Sequence, residues 1–416
     1  MTDDRIVLHV LMDGRHAAML EGTVRKTRLL YDADPGQVPL SVSMPTDRRR
    51  WRHDAVHPWV AALFPDNERV VAGWRAQFSV RDHDPMALLP YVGEDVAGAA
   101  QFVREDRIET VARRGGDVVP VSEHQVGQLL DAARDGSPGV SDLDVARGRF
   151  SLAGAQAKIA LQRLPDGWAL PGGAEPSTHI LKLPIPDLTD QALGEVLTMR
   201  AAHHLGLSVA NTSLAVFDGR QTIMVERYDR QLVDGRWHRV HQEDLCQAAG
   251  LAPRYKYEDR GGLGVAACAD LVRRYAGPAD VERFAEAVMF NHLVKATDAH
   301  ARNYSLVITA DGARLAPLYD LNTGLLYGHR WARHSAMRIG DEDRFEEIGA
   351  YHWRCLATDV GLDYQWVRDR LVTMAARLPD AFADASRDQD LVGDAAGVAP
   401  LVVDAVAGWC ATLVGG

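Results

Sequence analysis

Thr297-Asp298-Ala299-His300-Ala301-Arg302-Asn303 is the stretch from which the rest of the chain can be read. Asn303 follows Asp298 by five positions. At that spacing one short loop supplies both a proton acceptor for an attacking hydroxyl and an amide oxygen for magnesium. Alone, the pair fits a cap or an Asx-turn equally well. The residues after Asn303 narrow the choice. Tyr304-Ser305-Leu306-Val307-Ile308-Thr309 and Arg314-Leu315-Ala316 predict a hairpin around Ala310-Asp311-Gly312-Ala313, with Asp311-Gly312 as its turn signal. The hairpin delivers Pro317-Leu318-Tyr319-Asp320, a second carboxylate suited to a metal that bridges phosphates. Ahead of the loop, Val281 to Thr297 predicts a helix with Phe284, Ala285, Val288, Met289, His292 and Ala296 on its buried face, His292 as a core residue.

Working upstream, Ser177-Thr178-His179-Ile180-Leu181-Lys182-Leu183-Pro184 predicts a short strand ended by proline. Lys182 stands between apolar neighbours, where a cation needs an anion such as a nucleotide phosphate; a solvent-facing lysine on an edge strand is the other reading. Ser151-Leu152-Ala153-Gly154-Ala155-Gln156-Ala157-Lys158 is a small-residue turn between strand-like runs. Its backbone amides can approach phosphate, although it lacks the GKS/T ending of a Walker loop. Thr222-Ile223-Met224-Val225 predicts a buried strand that breaks into Glu226-Arg227-Tyr228-Asp229-Arg230. In a kinase such an exit between lobes offers backbone groups to adenine, which singles out Glu226 and Tyr228; a surface cluster of alternating charges fits as well.

The length of 416 residues allows two or three structural units. A hydrophobic fraction of 47% with 25% charged residues is that of a folded globular protein. The net charge of −11 argues against nonspecific attraction to nucleic acid or to an anionic membrane, so any DNA contact is expected through a partner. Cys246, Cys268, Cys355 and Cys410 are scattered without CxxC pairing, which argues against a disulfide framework or a structural zinc site. The polar start and the absence of a long apolar run point to a cytoplasmic protein with no membrane span.

Arg5-Ile6-Val7-Leu8-His9-Val10-Leu11-Met12, Asp13-Gly14 and the apolar run to Leu20 predict a hairpin with a type I′ turn. Pro58 to Arg69 carries Trp59, Leu63 and Phe64 near helical spacing, and Leu88-Leu89-Pro90-Tyr91-Val92-Gly93 is a turn-bounded apolar run. Gly115-Gly116-Asp117 and Asp131 to Asp144, with Gly136, Pro138 and Gly139, are the linker candidates. From Phe150 to Arg230 the pattern is strand-rich with one helix, Asp190 to Leu205, carrying Leu193, Val196, Leu197, Ala201 and His204 as its stripe before Gly206. From Gln242 onward it is mainly helical. The expected units are residues 1–110, a β-rich lobe over 111–235, and a helical lobe over 236–416.

In order and spacing, the Ser151–Lys158 turn, His179-Ile180-Leu181-Lys182-Leu183-Pro184, Val225-Glu226-Arg227-Tyr228-Asp229-Arg230, His241-Gln242-Glu243-Asp244-Leu245-Cys246-Gln247, Lys256-Tyr257-Glu258, the Thr297–Asn303 loop and Pro317-Leu318-Tyr319-Asp320 resemble the HipA toxin kinases. Leu63-Phe64-Pro65-Asp66-Asn67, Leu88 to Gly98, and Ser335-Ala336-Met337-Arg338-Ile339-Gly340 extend the resemblance over essentially the whole chain. It implies an α+β, bilobal protein-kinase-like fold: a β-rich N-terminal lobe with an extra amino-terminal subdomain, and a mainly α-helical C-terminal lobe. It further implies an ATP- and Mg2+-dependent serine/threonine kinase toxin, an aminoacyl-tRNA synthetase as target, and a HipB-like helix-turn-helix antitoxin as partner.

Carried over residue by residue, the resemblance makes Asp298 the base, Asn303 and Asp320 the metal ligands, Lys182 the phosphate-positioning cation and His300 a support for the loop. Ser151, Gly154, Ala155, Gln156 and Lys158 become the phosphate loop, with Glu226 and Tyr228 at the hinge. Ser151 also matches a serine whose autophosphorylation switches such kinases off, and a phosphate of about −1.5 to −2 charges beside an ATP site would do so. The chain departs from the family at Leu263, where proline is frequent, and at Ala299, where glycine is. Glu195 matches a family position but lies nearly opposite its helix's apolar stripe, leaving a cleft-facing and a water-facing orientation open. A small-molecule or lipid kinase of the same scaffold, and an antitoxin-binding corepressor module with vestigial kinase activity, remain as alternatives.

Overall fold

The computed structural model describes residues 5–113, 115–137, 150–328, 331–391 and 396–414. Its amino-terminal part is a five-stranded antiparallel sheet in the order Arg50–Trp51, Arg28–Tyr31, Arg15–Gly22, Ile6–Met12, Ala100–Val103. The first hairpin turns at Asp13 (φ 47°) and Gly14 (φ 81°), the left-handed pair that a type I′ turn requires. Leu8, Val10, Leu20 and Leu29 face Trp59 and Val60 of the helix His53–Ala61 in one core. The helix expected over Pro58 to Arg69 is two helices, because the chain leaves the first at Ala62 and Asn67 caps a second, Glu68–Gln77, by accepting from the Arg69 amide at 3.0 Å. Leu89–Val92 is one helical turn.

A six-stranded antiparallel sheet comes next in the chain, ordered Thr212–Phe217, Arg220–Glu226, His179–Lys182, Lys158–Leu164, Gly167–Gly173, Gly116–Val121. Lys182 lies on a central strand, opposite Ile223 on one side and Lys158 on the other, which removes the edge-strand reading. Gly116 and Asp117, read as linker, begin a strand that pairs with Gly173 and Gly172. The second linker candidate starts inside the helix Glu123–Asp135, which stops at Gly136 (φ 66°); Pro138 to Asp144 lie outside the described residues. The carboxyl-terminal lobe contains the helices Val265–Tyr275, Pro278–Leu293, Ala350–Val360, Tyr364–Ala385 and Ala399–Val414, with a small sheet His241–Asp244, Ser305–Thr309, Gly312–Leu315 at its cleft side. The whole is the bilobal α+β arrangement expected.

Three local expectations shift. The helix ahead of the Thr297–Asn303 loop ends at Leu293, not Thr297, because Lys295 takes a left-handed conformation (φ 49°). In the hairpin beyond that loop Thr309 faces Gly312, so the turn residues are Ala310 and Asp311, with Gly312 next at φ 128°. The helix Gln191–His204 is buried on nearly every side rather than along one stripe. His292 is a core residue, as its spacing predicts: it packs against Phe345, Trp353 and Trp409, and burial lowers its pKa to about 3. All four cysteines are free, and no described helix is long and apolar enough to cross a membrane.

Glu243 joins the amino-terminal part to the rest. Its two carboxylate oxygens accept from the Val42 amide and from the Trp59 indole, each at 2.8 Å. Burial outweighs those hydrogen bonds and pushes its pKa up to about 7. The folded chain therefore keeps this proton to a higher pH than the unfolded chain, whose glutamate titrates near 4.5. Stability contributed by Glu243 is present below that window and falls as pH rises through it, by at most about 1.4 kcal/mol per pH unit. Glu243→Gln cannot ionise and is expected to flatten the slope of Tm between about pH 5 and about pH 8 relative to wild type. A variant with the wild-type slope would assign the titration elsewhere.

Candidate functional site

Lys182 reaches from the central strand to two carboxylates. Its Nζ donates to Glu195 Oε1 at 2.9 Å and to Asp320 Oδ1 at 2.7 Å. Burial alone would lower the pKa of this amine, but Asp320 and Glu195 outweigh it and hold it well above the ordinary lysine range. Glu195 therefore points to Lys182 and not to water. It is 1% exposed, and its second oxygen accepts from Gln191 at 3.1 Å and Asn322 at 3.3 Å. Asp320 sits at φ 59° on the exit from the hairpin, and the Lys182 and Lys158 amines, against burial, bring its pKa down to about 2.

The catalytic-loop segment turns through a short 3-10 stretch, Ala301–Asn303. Asn303 Nδ2 donates to the Asp298 carbonyl at 2.9 Å, which turns the amide oxygen of Asn303 the other way. The exposed Asp298 carboxylate accepts at Oδ1 from the Tyr257 hydroxyl at 2.6 Å. His300 is buried edge-on to the Tyr257 ring, 5.0 Å between centroids. Burial lowers its pKa, although Asp298 pulls the other way. In the sequence Tyr257 belongs to a family motif but carries no assigned role; its partner lies 41 residues away, beyond any local pattern.

Asp298, Asn303, His300, Lys182, Asp320, Gly154, Ala155, Gln156, Lys158, Glu226 and Tyr228 all line one cleft of about 360 Å³ between the lobes. Ser151 does not. Its strand, Phe150–Ser151, runs parallel to Asp95–Val96, and the pairing points Oγ into the fold, where it donates to the Leu63 carbonyl at 2.9 Å. The residue is fully buried, which corrects the expectation that it belongs to the nucleotide contacts. Gly154 adopts φ 106°, a conformation that favours glycine, and a Cβ there would displace the Lys158 amine, 2.4 Å away. That amine donates to the Ala153 carbonyl at 2.6 Å, and burial beside Lys182 lowers its pKa to about 8.

The hinge segment is not a surface charge cluster. The Glu226 side chain is exposed and accepts from Asn211 at 3.0 Å, but Arg227, Asp229 and Arg230 are buried. Arg227 and Arg230 both bond Asp229, while Arg230 also bonds Asp95 at 2.9 Å. Arg227 Nη2 donates to the Val96 carbonyl and Arg230 Nη1 to that of Gly98. Tyr228 stacks on Tyr319, whose hydroxyl donates to the Arg302 carbonyl at 2.7 Å, so the hinge touches the catalytic loop through two rings.

The donor set suits a magnesium nucleotide. Among the described residues no cluster of three or more His, Cys, Asp or Glu side chains could hold a metal unaided. One carboxylate (Asp320) and one free amide oxygen (Asn303) are hard ligands that magnesium completes with phosphate oxygens and water. Lys182 and Lys158 would be the cations nearest to phosphates bound there, and the residues around Tyr228 border the cleft where a base would enter.

Comparison with known proteins shows the family and the fold. Residues 8–103 match the HipA N-terminal domain and residues 150–382 the HipA-like C-terminal domain. Y4mE of Sinorhizobium fredii is 35% identical over 90% of this chain and 89% of its own. The serine/threonine-protein kinase toxin HipA of Shewanella oneidensis is 29% identical over 83% of this chain and 80% of its own. The solved HipA of Shewanella oneidensis MR-1, in complex with HipB and operator DNA, superposes with a TM-score of 0.81 at 24% identity, covering 98% of this chain and 97% of that one, and shares its fold. With both halves matched and so long a relative above 30% identity, the chain belongs to the HipA family of protein kinases.

Proposed function

We propose that the chain transfers the γ-phosphoryl group of ATP to a serine or threonine hydroxyl of a protein, with Asp298 as base. The acceptor oxygen attacks the γ-phosphorus, its proton passes to Asp298, and ADP leaves. Magnesium, when bound with the nucleotide, withdraws charge from the phosphate oxygens. Asn303 and Asp320 hold it, Lys182 orients the phosphates, and Tyr257 fixes the rotamer of Asp298. The observation that carries this reading is the convergence of Asp298, Asn303, Asp320 and Lys182, the last held by Glu195, on one cleft.

The target is an aminoacyl-tRNA synthetase by family resemblance, the setting is the cytoplasm, and the partner is a HipB-like antitoxin through which DNA is reached. Unit boundaries drawn after residues 110 and 235 cut the helix Ile108–Ala112 and separate the paired strands Arg230–Val233 and Arg236–Arg239. Autophosphorylation at Ser151 is the off-switch. The hydroxyl is buried against Leu63, so modification requires the loop to leave its seat, and the added charge opposes its return. Incubation with γ-labelled ATP and a panel of synthetases tests the reading. Label on a synthetase and on Ser151 is expected; label only on a small molecule would assign a different acceptor class.

A further inference from the structure

Asp66 lies in the turn between the first two helices of the amino-terminal part, yet its contacts are with the catalytic apparatus. Oδ1 meets Arg302 Nη1 at 2.9 Å, and Oδ2 meets Lys256 Nζ at 2.9 Å. Its amide donates to the Gly154 carbonyl at 3.1 Å, where Pro65 and Gly154 form a bridge. Arg302 belongs to the loop that carries Asp298 and Asn303, Lys256 precedes the tyrosine that bonds Asp298, and Gly154 is the apex of the small-residue loop. One side chain and its own amide thus touch three segments at once, two of which also meet directly through Tyr257 and Asp298.

The chemistry of each contact is specific. Arg302 is buried and spends its guanidinium on three acceptors: Asp66, Asp244 Oδ2 at 3.1 Å and the Ala62 carbonyl at 2.8 Å. Lys256 lies 5.1 Å from the centroid of the Tyr257 ring, as Arg260 does, so it is one of two cations against the ring whose hydroxyl bonds Asp298. Burial would raise the Asp66 pKa, but Arg302 and Lys256 outweigh it and keep the carboxyl ionised.

We propose that Asp66 is a positioning residue for phosphoryl transfer, by which the amino-terminal part completes the active site: it locks the catalytic loop, the Lys256-Tyr257 arm and the small-residue loop in register. This role rests on the chain being a kinase of the proposed kind. It makes the first hundred residues a component of the enzyme, since the lock is supplied from outside both lobes.

The test uses the full-length chain and the variants Asp66→Asn, Asp66→Glu and Lys256→Met. Hydrogen exchange should quicken in residues 254–258 and 297–303 of Asp66→Asn, at unchanged global Tm. Turnover should fall about 10–100-fold, the cost of about an ångström of misplacement, with Mg-ATP affinity little changed. Asp66→Glu should recover much of the loss, and Lys256→Met, which breaks the arm from the other side, should loosen residues 254–258. Unchanged exchange in both segments overturns the proposal whatever the activity, as does a turnover loss matched by an equal loss of Mg-ATP binding without rescue by Asp66→Glu. If wild type transfers no phosphoryl group, the kinase reading fails at its own step, and the exchange data still decide whether Asp66 holds the segments.

Discussion

Replacing Asp298 with asparagine is expected to lower phosphoryl transfer by roughly 10²–10⁴-fold while leaving Mg-ATP binding largely intact, the share usually carried by a general base. The geometry separates the two effects. Tyr257 occupies Oδ1 and fixes the rotamer, leaving Oδ2 to take the acceptor's proton, which an amide cannot do. The nucleotide contacts proposed for Lys182, Asp320 and Asn303 do not pass through the Asp298 side chain; Asn303 bonds the Asp298 backbone carbonyl, which the substitution keeps. Single-turnover transfer from γ-labelled ATP, with binding followed by calorimetry, reads both quantities. Near-normal transfer would remove Asp298 from the chemistry.

Lys182→Met is expected to have the largest effect on the fold as well as on turnover. The amine is a buried cation between Glu195 and the half-exposed Asp320, and its removal leaves Glu195, 1% exposed, without its ion-pair partner. Breaking such a pair from one side costs about 3–5 kcal/mol, a large share of a domain's stability. Denaturant unfolding should show the midpoint moving down with an unchanged slope. Adding Glu195→Gln to Lys182→Met should return part of that stability, because the orphaned charge is gone, yet return no transfer activity. A single variant as stable as wild type would mean that Glu195 is solvated by some other route.

The local signals in the sequence are reliable where one face of one element suffices. Asp13-Gly14 announces its turn, and Asp298, Asn303 and Asp320 announce a site because their spacing is fixed by one loop and one hairpin. Helical periodicity fails for Glu195 since it presumes a single buried face, whereas the helix Gln191–His204 is covered on nearly all sides. Alternating charges at Glu226 to Arg230 look like surface because the residues that bury them, Asp95, Val96 and Gly98, come from more than 100 positions earlier. Asp66 is visible in the sequence only as part of a family motif. Its partner Arg302 is 236 positions away, and no pattern short of the folded chain joins them.

The ionic knot behind the hinge bears on how this segment tolerates change. Asp95, Arg227, Asp229 and Arg230 share their hydrogen bonds, so losing any one member strands a charge in the interior. Sequence drift here has no small first step: the members must be replaced together or not at all. The backbone proposed to border a nucleotide base is therefore held in place by this knot of side chains. An inhibitor shaped to that edge would face a surface on which resistance by single substitution comes at the expense of the fold.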